Sequence, residues 1–227
     1  MRRGTVAWAG SGAAGTPCAG DAVVIRRGEP WGEAGPAPDG LVVVEGDVAA
    51  RRVVEEARRA GEPIPPLGLA GGDLARTLGA RGGADRFAGG ELVQAPVDLG
   101  SVLVDGRQHW FVAHLVVRGS WWRGRIVAAM NAEFLGAWDV APRGHPNDGR
   151  LDVLDVDAAL GLGDRLKARR RLPAGTHVPH PRIRQSRVTA VQVDLDRPTA
   201  VWLDGERLGE ARRLSIRVEP DALVCAV

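Results

Sequence analysis

Cysteine is scarce: Cys18 and Cys225 are the two in 227 residues, near opposite ends and in unrelated contexts. Their separation argues against a disulfide framework or a cysteine-ligated metal, and it predicts a reduced, cytoplasmic protein. No apolar run approaches the ~20 residues that cross a bilayer. Ala7 to Ala14 is interrupted by glycine and serine and makes a poor leader segment. Neither a Ser-His-Asp order nor a Gly-x-Ser-x-Gly elbow is found, which argues against hydrolases of that kind. No internal repeat is visible.

What is present suits a globular chain. The apolar fraction, 44%, is enough for a buried core, and 31 glycines with 15 prolines predict many turns. A net charge of +2 hides an uneven spread: Arg165, Lys167, Arg169, Arg170, Arg171, Arg182, Arg184 and Arg187 fall in a stretch with no acid. Such a segment fits an anionic surface, or a solvated helix face and the loop after it.

The organisation changes along the chain. Residues 1–35 are rich in Gly, Ala and Pro, with little order expected outside Ala22-Val23-Val24-Ile25. Leu41 to Val44 reads as a strand buried on both faces, as in a parallel sheet. Arg51 to Ala60 carries Val53, Val54 and Ala57 at helical spacing, ended by Pro63, Pro65 and Pro66. Leu67 to Leu69 is a short strand, and Asp73 is placed as the N-cap of a second helix. From Val97 the period becomes two, with strands expected over 97–104, 108–117, 125–131, 138–141, 151–156, 188–193, 199–203, 214–218 and 222–227. Asp105-Gly106 and Asp204-Gly205 are hairpin turns by composition. One helix interrupts the strands, Ala158 to Leu172, amphipathic through Leu160, Leu162, Leu166 and Ala168. Thus 36–95 reads as a reduced α/β lobe and 96–227 as a mainly antiparallel, β-sandwich-like domain.

Polar landmarks punctuate the second region in order: Asn131, Phe134-Leu135-Gly136, Val140-Ala141-Pro142, Asp148-Gly149-Arg150-Leu151-Asp152-Val153, Gly175-Thr176-His177, His180-Pro181, Trp202-Leu203-Asp204-Gly205-Glu206 and Glu219-Pro220-Asp221. This series resembles the C-terminal domain of the bacterial diacylglycerol kinase-like lipid kinases, within the NAD kinase/diacylglycerol kinase-like superfamily. The resemblance runs over residues 40–227 and is strongest from 125. It implies ATP-dependent phosphoryl transfer to a lipid hydroxyl, which needs a phosphate cradle, a cation and a base. Glu206 is implied as the base and Asp204 as its carboxylate partner. Asp148 is implied to hold Mg2+ with backbone carbonyls at His145 and Arg150, hard oxygen ligands that suit this ion. Turn chemistry alone also accounts for both Asp-Gly segments.

The nucleotide half departs from the pattern. Where relatives carry Gly-Gly-Asp-Gly-Thr, this chain has Glu45-Gly46-Asp47-Val48-Ala49, keeping Gly46 and Asp47. The second loop survives as Ala70-Gly71-Gly72-Asp73-Leu74-Ala75-Arg76, without its Thr and Asn. Glycine lets backbone N–H groups approach phosphate, so these losses weaken the cradle, and Glu45 adds repulsion. A Gly-Phe-Asp-like motif and a helical insertion are also missing between Gly119 and Arg125. Gly46, Asp47, Gly71, Gly72 and Asp73 are the expected nucleotide contacts, with ATP and Mg2+ as implied cofactors. The implied partner is a lipid at an anionic membrane surface, reached from the cytoplasmic side, and not nucleic acid. A catalytically inactive homologue acting as a binding or regulatory module, alone or beside a partner kinase, is the alternative. His177 and His180 lack a third metal ligand at useful spacing, and His109 and His114, five apart, fall on opposite faces if they share a strand.

Overall fold

A computed structural model describes residues 31–81 and 83–227. Cys18 and the expected strand Ala22–Ile25 lie outside the described residues. Part of the N-terminal stretch expected to lack order is a strand: β1 (Glu33–Gly35) pairs antiparallel with β4 (Leu92–Val104).

The next elements are β2 (Val42–Val44), α1 (Asp47–Ala60) and β3 (Leu67–Leu69), in which the two strands pair in parallel. The helix stops before its prolines, because Gly61 takes a left-handed φ of 70° and donates its N–H to Ala57. With α2 (Asp73–Thr77), α1 covers one face of these strands and buries Val44, Val54, Leu67, Leu69 and Leu74. Burying each such side chain stabilises by about 1.5–3 kcal/mol. The other face is covered only in part, by Phe87 over Gly68, and Val43 is 42% exposed, so β2 is not buried on both sides as its β-branched run suggests.

The remaining strands are β5 (Arg107–Phe111), β6 (His114–Arg118), β7 (Ile126–Met130), β8 (Phe134–Leu135), β9 (Trp138–Asp139), β10 (Leu151–Val156), β11 (Ile183–Val188), β12 (Ala190–Leu203) and β13 (Glu206–Ala226), with α3 (Leu162–Arg171) before β11. The main sheet runs β1-β4-β13-β12-β6-β7-β10-β11, with β5 on β4 and β3 on the far end of β13. Both expected Asp-Gly turns close hairpins. Asp105 and Gly106 have φ of 45° and 88°, Asp204 and Gly205 of 52° and 87°, the doubly left-handed geometry of a type I′ turn.

Several expected strands are redrawn by tertiary contacts. The segments at 214–218 and 222–227 belong to one strand, β13, whose register against β4 shifts between Glu219 and Leu223. Conversely, 108–117 breaks at Val112-Ala113 into β5 and β6, so His109 and His114 sit on different strands. The curled sheet encloses Phe111, Leu115, Val127, Leu151, Val201, Leu203 and Ile216, while the opposite face of β6, β7 and β10 packs under α3. The architecture is the expected reduced α/β lobe with a β-sandwich-like domain.

Packing of α3 differs from its sequence pattern. The helix begins at Leu162, not Ala158, and Leu162 and Leu166 are 64% and 40% exposed. Arg165 instead turns inward and is buried. Its guanidinium donates to the carbonyls of Leu160, Trp121, Gly124 and Asp157, fastening the helix to the loop between β6 and β7.

Candidate functional site

Three loops meet where α1 and α2 approach the hairpin of Asp204. The carboxylate of Asp47, in the first turn of α1, accepts the backbone N–H groups of Asp73 at 2.6 Å and Leu74 at 3.1 Å. It therefore caps α2, the role expected of Asp73. The Asp73 carboxylate points elsewhere, accepting from the Gly136 N–H and placing its Oδ2 3.1 Å from His114 Nε2. The two loops are in close contact. A Cβ on Gly72 would lie 2.5 Å from the Asp47 carboxylate and one on Gly71 2.8 Å from the Glu45 carbonyl, so neither tolerates a side chain.

Asp204 is the hub of the other half. Fully buried, it accepts N–H groups from Val112 at 3.0 Å, Ala113 at 2.8 Å and His114 at 3.0 Å, which holds open the break between β5 and β6. Burial pushes its carboxyl up to about 6. Arg51 joins the hub to the hairpin tip: Nε lies 3.6 Å from Asp204 Oδ2, and Nη2 pairs with Glu206. Arg52 reaches Glu206 from the exposed side at 3.1 Å. Hydrogen bonds and charge from Arg52 and Arg51 hold the Glu206 carboxyl below the usual range. Burial of His114 opposes its protonation, but the Asp73 hydrogen bond and the charges of Asp204, Asp73 and Asp47 outweigh it and raise its pKa.

The structure thus brings Asp47, Gly71, Gly72, Asp73, Asp204 and Glu206 into one region, with Gly46 at the start of α1. Asp148, His145 and Arg150 lie apart from it. Asp148 is ion-paired with Arg187, and His145 Nδ1 accepts from the Asn147 N–H, with its ring edge-on to Trp31 at 5.0 Å. Both Asp148 carboxylate oxygens are buried without a hydrogen-bond donor, and Arg187 is the cation beside them. At the α2 N-terminus the Asp47 carboxylate accepts the first N–H groups. Among the described residues, the cluster with metal-ligand spacing is Asp47, Asp73 and His114.

The sheet places this polar region beside an apolar one. Cross-strand partners share a face. One row runs His114, Met130, Asp152, Arg187; two residues along lies the row Trp202, Val116, Ala128, Leu154; next come Arg118, Ile126, Val156 and Ile183. Between the latter rows and α3 lies a cavity of about 100 Å³, open on one side. Trp121, Trp138, Leu135, Val140, Leu160 and Leu172 complete its apolar wall, and Arg169 stands at its edge, its guanidinium 5.0 Å from the Trp122 ring and 5.9 Å from that of Trp138. Sequence reasoning missed this cavity, His114, Arg51 and the buried Arg165. The signal for His114 was a histidine inside an otherwise apolar strand.

Residues 100–227 match the family of the YegS C-terminal NAD kinase beta sandwich-like domain. The chain belongs to this family. It is a lipid kinase-like family, and solved structures extend the likeness into the first lobe. A structure of a diacylglycerol kinase from Bacillus anthracis str. Sterne matches at 17% identity and a TM-score of 0.55, covering 82% of this chain and 75% of that one. A second, of a candidate diacylglycerol kinase from the same organism, matches at 16% identity and a TM-score of 0.59, covering 82% and 77%. At these identities the likeness is one of fold. No curated protein matches.

Proposed function

We propose that this family member binds a lipid through its sandwich domain and does not itself transfer phosphate from ATP. In this reading residues 96–227 are the lipid-binding domain and 36–95 a nucleotide lobe that has closed. The observation that carries it is the filled junction of the two loops, where the Asp47 carboxylate takes up the N–H groups of Asp73 and Leu74 and Val48 and Ala49 stand in place of the Gly and Thr of the cradle. Lipid binding is supported by the apolar cavity one ladder row from the buried polar groups His114 and Asp152, an arrangement for a tail and a headgroup. The test of the closed lobe is thermal stability in millimolar Mg-ATP, where no shift is expected. A rise of several degrees that Asp47→Ala abolishes would overturn it.

A second reading, ATP-dependent phosphorylation of a lipid hydroxyl, is favoured by Glu206 at the tip of its hairpin against α1, next to Asp204 through Arg51. There Glu206 is the base, Asp204 its partner, Gly46, Asp47, Gly71, Gly72 and Asp73 hold the nucleotide, and Asp148 holds magnesium with the carbonyls of His145 and Arg150. Labelled phosphate entering a lipid extract, and lost in Glu206→Gln, would establish this activity. Among the described residues no helix is long and apolar enough to cross a membrane. The lipid is then taken from a membrane surface, with the cationic edge of α3 as the proposed contact.

A further inference from the structure

Asp47, Asp73 and His114 come from α1, α2 and β6, and each brings a carboxylate oxygen or a ring nitrogen to within 4.8 Å of the other two. The cluster is closed to water, with His114 3% exposed and Asp47 8%. Backbone N–H groups do not saturate its carboxylates, because each oxygen has two lone pairs. Nor does its charge balance. Arg51 is divided among Glu55, Glu206 and Asp204, and among the described residues neither Asp47 nor Asp73 has an arginine or lysine within ion-pair distance. Two carboxylates therefore share one imidazole, and the buried Asp204 adds its negative field to both His114 and Asp47. Buried carboxylates call for a compensating cation, and this excess has none among the side chains.

We propose that Asp47, Asp73 and His114 hold a divalent ion of the zinc class, without nucleotide. Zn2+ takes imidazole nitrogen and carboxylate oxygen together, and three protein ligands leave its fourth position open. The imidazole decides the class of ion, since Mg2+ and Ca2+ prefer shells made of oxygen. This sets the cluster apart from the magnesium implied at Asp148. The ion replaces the hydrogen bond between Asp73 Oδ2 and His114 Nε2 and ties both helices of the small lobe to β6 of the sandwich. The inference rests on the filled junction of the closed-lobe reading and names what holds it shut.

The experiment strips the whole chain of metal with a chelator and titrates it by calorimetry with Zn2+ and with Mg2+. One equivalent of Zn2+ is expected to bind, about a hundredfold or more tighter than Mg2+, and to raise the melting temperature with no nucleotide present. His114→Gln and Asp73→Asn should each weaken Zn2+ by about tenfold or more, and Asp148→Asn should leave it unchanged. Co2+ should give a saturable visible band that His114→Gln removes. Zn2+ binding that survives His114→Gln overturns the proposal, and so does loss in Asp148→Asn instead, equal affinity for Mg2+, or no saturable binding. If His114→Gln fails to fold, Asp73→Asn and the wild-type ratio of Zn2+ to Mg2+ affinity decide. Absence of a zinc site sinks the ion alone, whereas a Mg-ATP shift that Asp47→Ala abolishes sinks the closed lobe whatever the zinc titration gives.

Discussion

The carboxylate of Asp47 holds the backbone N–H of Asp73 at 2.6 Å across 26 residues of sequence, so the first turn of one helix caps the start of the next. Replacing Asp47 with alanine leaves the N–H groups of Asp73 and Leu74 without their acceptor. The expected cost is about 1 kcal/mol of stability, as for other lost caps, measured by urea unfolding. Unchanged stability would mean that the contact is not a cap in solution.

His114 makes stability depend on pH. Its pKa is raised in the folded protein above the ordinary 6.5, so its contribution is fully present below 6.5 and is lost as pH rises through the folded value. Asp204, pushed up to about 6 against an ordinary 3.8, contributes in the same direction at lower pH, losing stability between those values as pH rises. The melting temperature of wild type should therefore fall as pH increases above 6.5, and the slope in that range should flatten in His114→Gln. A slope of the opposite sign would contradict the Asp73–His114 ion pair.

Arg165 is the fastening of α3. Arg165→Met keeps much of the stem but frees the carbonyls of Leu160, Trp121, Gly124 and Asp157. A loss of about 2–4 kcal/mol is expected, together with faster hydrogen exchange confined to α3 and the loop at 119–125. Uniform change across the sheet would show that the helix is held by other means.

Gly100 faces Phe111 across β4 and β5, where an added Cβ would overlap the ring. Gly100→Ala should cost about 1–3 kcal/mol through overpacking, and Phe111→Leu in the same chain should recover part of it. Additive losses in the double variant would show that the two positions do not share this space.

The outer edge of α3 presents Leu162 and Leu166 with Arg169, Arg170 and the exposed Trp122 and Arg123. Pelleting with vesicles containing about one third phosphatidylglycerol should exceed pelleting with phosphatidylcholine alone and weaken as salt rises. Glutamate at Leu162 and Leu166 should reduce it. Equal pelleting with both vesicle types would argue against an electrostatic surface contact.

The parts legible in sequence were those whose chemistry is local. Asp105-Gly106 and Asp204-Gly205 specify their turns unaided, and β10 was bounded correctly because its alternation sits between a turn and a helix. The break between β5 and β6 was not legible, since its cause is Asp204, 90 to 92 residues away along the chain. Asp47 was legible as a landmark but not as a cap, because the helix it caps lies beyond an intervening strand. Arg165 read as one of eight cations until its surrounding carbonyls were known. Glu206 and Asp204 were singled out together, and Arg51, the side chain that joins them, carries no motif of its own.

Strand β13 begins at Glu206, pairs with β12 in the sandwich, and ends against β3 in the small lobe. Its last residues would be an open edge if β2 and β3 were removed, ready to pair with another chain. The small lobe thus acts as the selvedge of the cloth, finishing an edge of the sandwich sheet whatever its own loops hold.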